Sequence, residues 1–294
     1  MVAAIGTLCQ CGIDSSNPVT KRFDFMRSSL GVTEDFIDTN GLRGTYRRDK
    51  SRLRQGNRRI QGTITMQPNS VEWSYLLPWI TDGTPSGSGT VTYPLADTAP
   101  TLRYVAIDHN ATSLFTYDNV AVDVARLTAQ QGEPLQLDLD VVGFDETISG
   151  SFPALSIDTA NGPFILTDAV VSINSTAVSV PEISLTLSKG INKDRFLNSQ
   201  TLTAQTKLDR HVTFSVMPPF GDFYALYNLG VGTTAVTLTF TYGSAVLTIS
   251  LPYVAFPRLP IDVPGRQEVM LPLTGMCMAS GSTNEMTVQL AVGP

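Results

Sequence analysis

The chain has 294 residues, of which 42% are hydrophobic and 16% are charged, and its formal net charge at pH 7 is −6. The apolar fraction excludes an intrinsically disordered chain, the three cysteines are too few for a disulfide scaffold, and the two histidines are too few for most metal or acid–base chemistry. The length suggests two domains, and the sparse charge is typical of β-rich chains or of subunits covered by neighbouring copies.

Alternating apolar and polar residues predict β-strands along much of the chain. Such alternation belongs to strands with one buried face and one polar face. The clearest examples are residues 61–66, 135–141, 236–242 and 246–251. Clusters of Gly or Pro lie between these segments, as the turns of antiparallel sheets require. The sequence therefore predicts a mainly β fold.

Two short helices interrupt the predicted strands. Asn69 is placed to cap the first helix with Glu72 as its capping-box partner, and apolar residues follow at helical spacing. Pro78 and Gly83 limit the length of this helix. The second helix follows the Pro-Pro pair at residues 218–219 and ends before a glycine.

The helices occupy corresponding places in an internal repeat. The order of strand, proline, short helix and glycine recurs about 150 residues later, and the following strands recur at offsets of about 134–136 residues. A Gly/Ser/Pro-rich insertion at residues 84–100 of the first half explains the change of offset. Any two β-rich segments can be aligned to some degree, but the matching helices favour a duplication. We therefore expect two tandem β-rich domains, at residues 1–152 and 153–294, each with one short flanking helix.

A basic segment lies in the first half. It holds eight of the 20 basic residues of the chain, with Asp49 as the single acidic residue among them. It has three interpretations: a loop that docks on an acidic surface of another copy, a solvated loop between two strands, or an arm that neutralises nucleic-acid phosphates. The acidic balance of the whole chain favours docking between copies. The basic residues of this segment are Arg43, Arg47, Arg48, Lys50, Arg52, Arg54, Arg58 and Arg59.

Candidate chemical groups are few. Asp138 and Asp140 lie two residues apart on the polar face of one predicted strand, which is more often a solvated arrangement than a metal or glycosidase site. Cys9 and Cys11 are expected to be free thiols in an N-terminal arm, since a zinc site needs two more ligands. The sequence has no P-loop, dinucleotide-binding fingerprint, nucleophile elbow or HExxH motif. We expect neither catalysis nor a cofactor.

Several short motifs occur in an order that resembles a known family. Each motif is weak alone, but together they are similar to the tail tube, or major tail, proteins of long-tailed bacteriophages over residues 14–292. The motifs are DTNGLRG at 38–44, QGTIT at 61–65, WSYLLP at 73–78, GEPLQL at 132–137, FPAL at 152–155, RFLNSQT at 195–201 and PGR at 264–266.

The resemblance implies a ring-forming architecture. Each tube domain of that family is a small β-sandwich with one flanking helix, and its lumen strands join those of its neighbours in a continuous β-barrel. Three two-domain chains then imitate a six-fold ring, which implies a homotrimer with pseudo-hexameric symmetry. A long loop reaches the adjacent ring, and the basic residues at 43–59 are the candidates for this contact. Gln136, Asp138 and Asp140 are the candidates for lumen-facing residues.

The function implied by the resemblance is structural. It is that of a tail tube subunit whose stacked rings form a hollow conduit, through which DNA passes during genome ejection without specific binding. The implied partners are further copies of the chain, the tape-measure protein, and the terminator and distal tail proteins. The implied location is the virion tail, with the host cytoplasm during assembly, and no membrane contact is expected. The alternative is a non-catalytic β-sandwich binding module of the adhesin type.

Overall fold

The computed structural model describes residues 9–38, 50, 53–109, 114–149, 161–219, 232–257 and 269–292. These residues form eighteen β-strands, one α-helix and a short 3-10 helix, so the predicted mainly β fold is confirmed. The second predicted helix falls in residues 220–231, outside the described part of the chain. No helix among the described residues is long and apolar enough to cross a bilayer.

The elements are numbered in chain order. The first half contains β1 (Gln10–Asp14), β2 (Arg22–Phe23), β3 (Phe25–Ser28), β4 (Gly31–Ile37), β5 (Arg54–Met66), α1 (Ser70–Thr81), β6 (Thr90–Pro94), β7 (Arg103–Asp108), β8 (Leu114–Gln130), β9 (Gln136–Gly143) and β10 (Asp145–Ser149). The second half contains the 3-10 helix (Leu166–Asp168), β11 (Ala169–Ile173), β12 (Thr176–Val178), β13 (Glu182–Ser188), β14 (His211–Val216), β15 (Thr233–Tyr242), β16 (Ala245–Ala255), β17 (Leu273–Cys277) and β18 (Thr287–Ala291).

The four segments with the clearest alternation all form strands. They lie in β5, β9, β15 and β16. On β9, Leu137 and Leu139 are buried, whereas Asp138 and Asp140 remain partly exposed. The alternation therefore separates a core face from a polar face, as the sequence predicts.

Helix α1 begins at the predicted cap. The Oδ1 atom of Asn69 accepts two backbone N–H groups of the first turn, and Oε2 of Glu72 accepts the Asn69 N–H at 2.9 Å. These bonds complete the capping box and satisfy N–H groups that have no partner within the helix.

The helix ends later than its proline suggests. Pro78 lies inside α1, which continues for three more residues, so the prediction that Pro78 limits the helix is wrong, whereas the helix does end before Gly83 as predicted. Trp79 anchors that last turn, because its Nε1–H donates to the carbonyl of Val120 at 2.9 Å and its side chain is completely buried. Asp82 sets the end of the helix: its φ of 57° is left-handed, and its N–H donates to the carbonyl of Pro78.

Each half is built from two groups of paired strands that share one long strand. In the first half, the start of β8 pairs with β7 and β10, and its end pairs with β9. In the second half, β15 pairs with β16 along its whole length, while β18 pairs with its start and β17 with its end. The remaining strands extend these groups: β1 and β2 join β7, β3 and β4 join β5, which pairs with β9, and β11 and β12 join β15.

Two strand pairs connect the halves. Residues 124–130 of β8 pair antiparallel with β13, and β6, which lies in the insertion at residues 84–100, pairs with β18. A single hydrophobic cluster extends through both halves and includes Trp79 and Phe240. The strands can therefore be followed without a break from β3 and β4 through β5, β9, β8, β13, β14 and β17 to the end of β16. We call this series the joined sheet.

Candidate functional site

The buried thiols offer no reactive centre. Cys11 lies in β1 opposite Ile107 and is completely buried, so the expectation that it belongs to an N-terminal arm is wrong. Burial raises the pKa of Cys11 to about 12, and it raises that of Cys277 to about 12 as well, which keeps both thiols protonated. Among the described residues, no group of three or more His, Cys, Asp or Glu side chains is placed to hold a metal ion.

The joined sheet carries a continuous polar face. Directly opposed residues form a row across seven strands, and most of them bear a hydroxyl or a charge. Because opposed residues in a sheet share a face, this row lies on one side of the joined sheet, and the buried Leu, Ile and Val residues lie on the other. The row consists of Arg27, Thr65, Asp138, Arg126, Thr186, Thr213 and Met276.

The two predicted carboxylates lie on this polar face, and both have partners. Asp138 accepts hydrogen bonds from the hydroxyl of Thr65 and from the side-chain amide of Gln136 at 3.0 Å. Asp140 accepts a bond from the hydroxyl of Thr63 at 2.6 Å and pairs with Arg126 at 2.8 Å. Arg126 therefore offsets the charge of Asp140, whereas Asp138 accepts hydrogen bonds from neutral groups, and the face is hydroxyl-rich rather than simply anionic.

The described residues of the basic segment lie in two different environments. Arg58 and Arg59 belong to β5, which begins at Arg54, so the loop predicted at 43–59 is shorter and its last residues form a strand. Arg58 pairs with Asp145 at 2.8 Å, and its other neighbours are Glu34 and Glu146. Lys50 and Arg54 remain exposed, and Arg43, Arg47, Arg48 and Arg52 lie outside the described residues.

The hairpin formed by β4 and β5 exposes apolar side chains next to these cations. Phe36 is 66% exposed, Ile37 58% and Leu53 50%. Isolated apolar residues are common on protein surfaces, but three at the end of one hairpin beside basic residues are suited to a contact with another chain. Sequence reasoning noticed the basic residues and missed this apolar group, whose signal is the Phe-Ile pair between two aspartates.

The contact between the halves contains a buried ionic group, which we call the junction cluster. The carboxylate of Asp82 lies 2.9 Å from Nζ of Lys189 and 2.7 Å from Nζ of Lys207. Lys189 also donates to the carbonyl of Trp79, and Lys207 donates to that of Ala96, each at 2.9 Å. The side chains of Asp82 and Lys189 are 1% and 2% exposed. The end of α1 in the first half is thus fixed to the second half by charges removed from water.

Burial lowers the pKa of Lys189 from 10.5 to about 8, although the Asp82 carboxylate favours the charged form. Sequence reasoning missed this residue, yet a signal exists. Ile183, Leu185 and Leu187 form the buried face of β13, and Lys189 is the next residue with the same alternation. A lysine at a core position of an alternating strand indicates a buried partner of opposite charge.

A groove with apolar walls lies at the other end of the joined sheet, where β16 ends. Its volume is about 1010 Å³, and we call it the apolar groove. Met276 is 53% exposed and Met278 45%, which is high for residues of this type. Its main apolar walls are Ala255, Phe256, Pro257, Met276 and Met278.

Comparison with known families decides the identity. A family model described as phage tail tube protein matches residues 3–277. The chain belongs to the phage tail tube protein family. No curated protein matches the sequence.

Membership of the phage tail tube protein family makes this chain a structural subunit of the virion tail. The family implies assembly of the chain into a tube together with other tail components. The exposed surfaces of the joined sheet, the hairpin and the apolar groove are therefore more relevant to function than any pocket for a small ligand.

Proposed function

We propose that three copies of the chain close into a ring and that the rings stack into a hollow tube through which DNA leaves the virion. The observation that carries this proposal is the joined sheet, which begins at β3 and β4 and ends at β16. The outer edge of β3 carries no strand in the described part of the chain, and closure with a further copy would cover its unpaired backbone groups.

The size of such a barrel follows from the strand spacing. Three copies that each contribute about eight strand positions give about 24 strands, and a spacing of about 4.8 Å makes the backbone cylinder about 37 Å across. Strand tilt widens it further, and barrels of about 16–18 strands already leave an aqueous channel. The proposed ring is therefore open along its axis.

The polar face of the joined sheet is the proposed lumen surface. It includes Gln136, Asp138 and Asp140, together with Arg126 and the threonines and serines of the neighbouring strands. Because Arg126 is paired with Asp140, this surface holds few free cations for phosphate groups. DNA would then pass without specific binding.

The basic segment and the exposed end of the β4–β5 hairpin are the proposed contact with the adjacent ring. Arg43, Arg47, Arg48, Lys50, Arg52 and Arg54 would meet acidic groups of that ring, with the apolar residues Phe36 and Ile37 beside them. Arg58 and Arg59 would support this contact from within β5. The tape-measure protein and the terminator and distal tail proteins are the proposed partners within the lumen and at the tube ends.

We also propose that the two halves, residues 1–152 and 153–294, are copies of one unit. The strand registers support this division, because Met66 faces Leu137 in the first half and Val216 faces Leu273 in the second. Two halves of the same design in each of three chains would give the ring its approximate six-fold symmetry.

Electron microscopy and native mass spectrometry test the assembly. The purified protein, alone or with a length-setting partner, is expected to form tubes in negative stain, and its rings are expected to contain three copies. Rings of six copies would contradict the pseudo-hexamer and leave the tube intact. A single-copy protein that binds glycans and never assembles would instead support the adhesin-type alternative.

A variant with Arg47, Arg48, Arg52 and Arg54 changed to serine tests the contact between rings. It is expected to fold and to form rings without long tubes, while the matched variant with four lysines keeps the charge and forms tubes. Tubes of normal length from the serine variant would contradict the proposal. If that variant instead loses DNA affinity and its salt dependence flattens, the basic segment is a nucleic-acid arm.

A further inference from the structure

The contact between the two halves extends one sheet through the chain. Within the chain, β13 lies along residues 124–130 of β8 through seven antiparallel residue pairs. Its other edge pairs with β14, as the opposite edge of β8 pairs with β9. This arrangement extends the sheet from one half to the next.

One of these edges occurs a second time, at the start of the joined sheet. Strand β3 pairs with β5 as β13 pairs with β14, since Phe25 faces Met66 and Ile183 faces Val216. The other edge of β3 carries no strand in the described part of the chain. At the opposite end, β15 accompanies β16 as far as Ala255, as β7 accompanies β8 as far as Val120.

The row on the polar face shows how these edges would meet. It begins with Arg27 on β3 and ends with Met276, which is paired with Ala255 at the end of β16. The residues beyond this pair, Phe256 and Pro257, form walls of the apolar groove. The groove therefore begins where the chain passes the end of β15, as β13 begins to pair with β8 beyond the residues that pair with β7.

The two junctions differ in their chemistry. Inside the chain, Asp82 belongs to the junction cluster, and the carbonyl of Asp123 accepts the Lys189 N–H at 2.7 Å. At the corresponding positions of the second half stand Gly232 and Pro257, which both line the apolar groove. One junction is ionic and the other is apolar.

We propose that the apolar groove receives β3 and the start of β4 from a second copy of the chain. This inference rests on the proposed ring assembly and names the two surfaces that form it. The contact is heterologous, since one end of the joined sheet binds the opposite end of the next, and it closes into a ring when the rotation allows. Exposed side chains on both surfaces, Met26 at 58% and Met276 at 53%, would be buried by it.

The chemical difference also directs each strand to its own junction. By register, Val32 follows β3 at the position that Lys189 occupies after β13. If β3 replaced β13 beside β8, the Asp82 carboxylate would be buried with one of its two cations missing. If β13 entered the apolar groove, Lys189 would be buried without a carboxylate. Both exchanges are unfavourable because an unpaired buried charge costs far more than an exposed one.

A mixing experiment tests this assignment. The groove variant Met276→Asp with Met278→Asp and the edge variant Met26→Asp are each expected to remain single copies at concentrations where the unmodified chain assembles. Mixed in equal amounts, they are expected to form a two-copy complex, because each variant retains one intact surface. Val170→Asp is the matched control, since Val170 is 57% exposed on β11, away from both surfaces. This variant is expected to assemble as the unmodified chain does.

The outcomes separate this inference from the proposed function. Circular dichroism first establishes that each variant is folded, and native mass spectrometry then counts copies. Assembly of the groove variant into normal rings would overturn the inference and leave the tube subunit assignment intact. Two folded variants that give no two-copy complex would overturn it as well. An unmodified chain that stays a single copy under all conditions would instead refute the ring assembly itself.

Discussion

Removing the negative charge of the junction cluster should weaken the whole chain. Asp82→Asn is the sharpest change, because asparagine tolerates the left-handed backbone of this position and can still accept the Thr101 N–H, now 2.8 Å from Oδ1. The variant leaves two ammonium groups within 2.9 Å of a neutral amide, and that of Lys189 is buried.

The magnitude follows from this burial. Breaking a buried ion pair by removing one partner costs about 3–5 kcal/mol, and the lower figure applies here because Lys207 is partly exposed and can be solvated. For a chain of 294 residues, a loss of about 3 kcal/mol lowers the melting temperature by about 5 °C. The effect on fold stability is therefore large enough to measure directly.

Urea unfolding followed by tryptophan fluorescence measures it. Both tryptophans of the chain, Trp73 and Trp79, are buried in α1, so the signal reports on the helix that the junction cluster anchors. Asp194→Asn is the control, because its carboxylate is exposed beside Arg59 and should contribute less than about 1 kcal/mol. Equal losses from the two variants, or a loss below about 1 kcal/mol for Asp82→Asn, would refute the argument.

Two further predictions concern pH and packing. Between pH 8 and 10.5 the unfolded chain keeps the Lys189 proton that the folded chain has lost. The stability of the unmodified chain relative to Lys189→Met should therefore rise with pH, by at most about 1.4 kcal/mol per pH unit. A difference in urea midpoint, unmodified chain minus variant, that stays constant or falls across this window would contradict the prediction. Gly83→Ala should cost about 1–3 kcal/mol in thermal unfolding, because its Cβ would lie 1.9 Å from the Pro94 carbonyl, whereas Gly31→Ala has open space and should cost nothing.

Local patterns in the sequence predicted the elements well. The capping box at Asn69 and Glu72 and the alternation on β9 depend on neighbours a few residues apart, and both are present in the structure. The error at Pro78 has a non-local cause. Trp79 is held by the carbonyl of Val120, 41 residues further along the chain, and this contact stabilises a helical turn that the proline alone would disfavour.

The surfaces of the candidate site were harder to predict because they depend on which strands meet. The carboxylates at Asp138 and Asp140 were visible in the sequence, but the pairing of Asp140 with Arg126 depends on the register of β8 against β9. The junction cluster requires α1 and β13 to meet across the two halves. Such contacts arise from the tertiary arrangement, and composition or periodicity does not encode them directly.

The crossed strand pairs between the halves have a mechanical consequence. Because β6 of the first half lies on β18 and β13 of the second half lies on β8, the halves cannot separate without shearing two antiparallel pairs at once. A tube built from such chains would bend where one copy meets the next, while each chain moves as a rigid segment. The smallest rigid unit of the filament would then be the whole chain. Such a filament would have half as many flexible joints as one built from separate single-unit subunits.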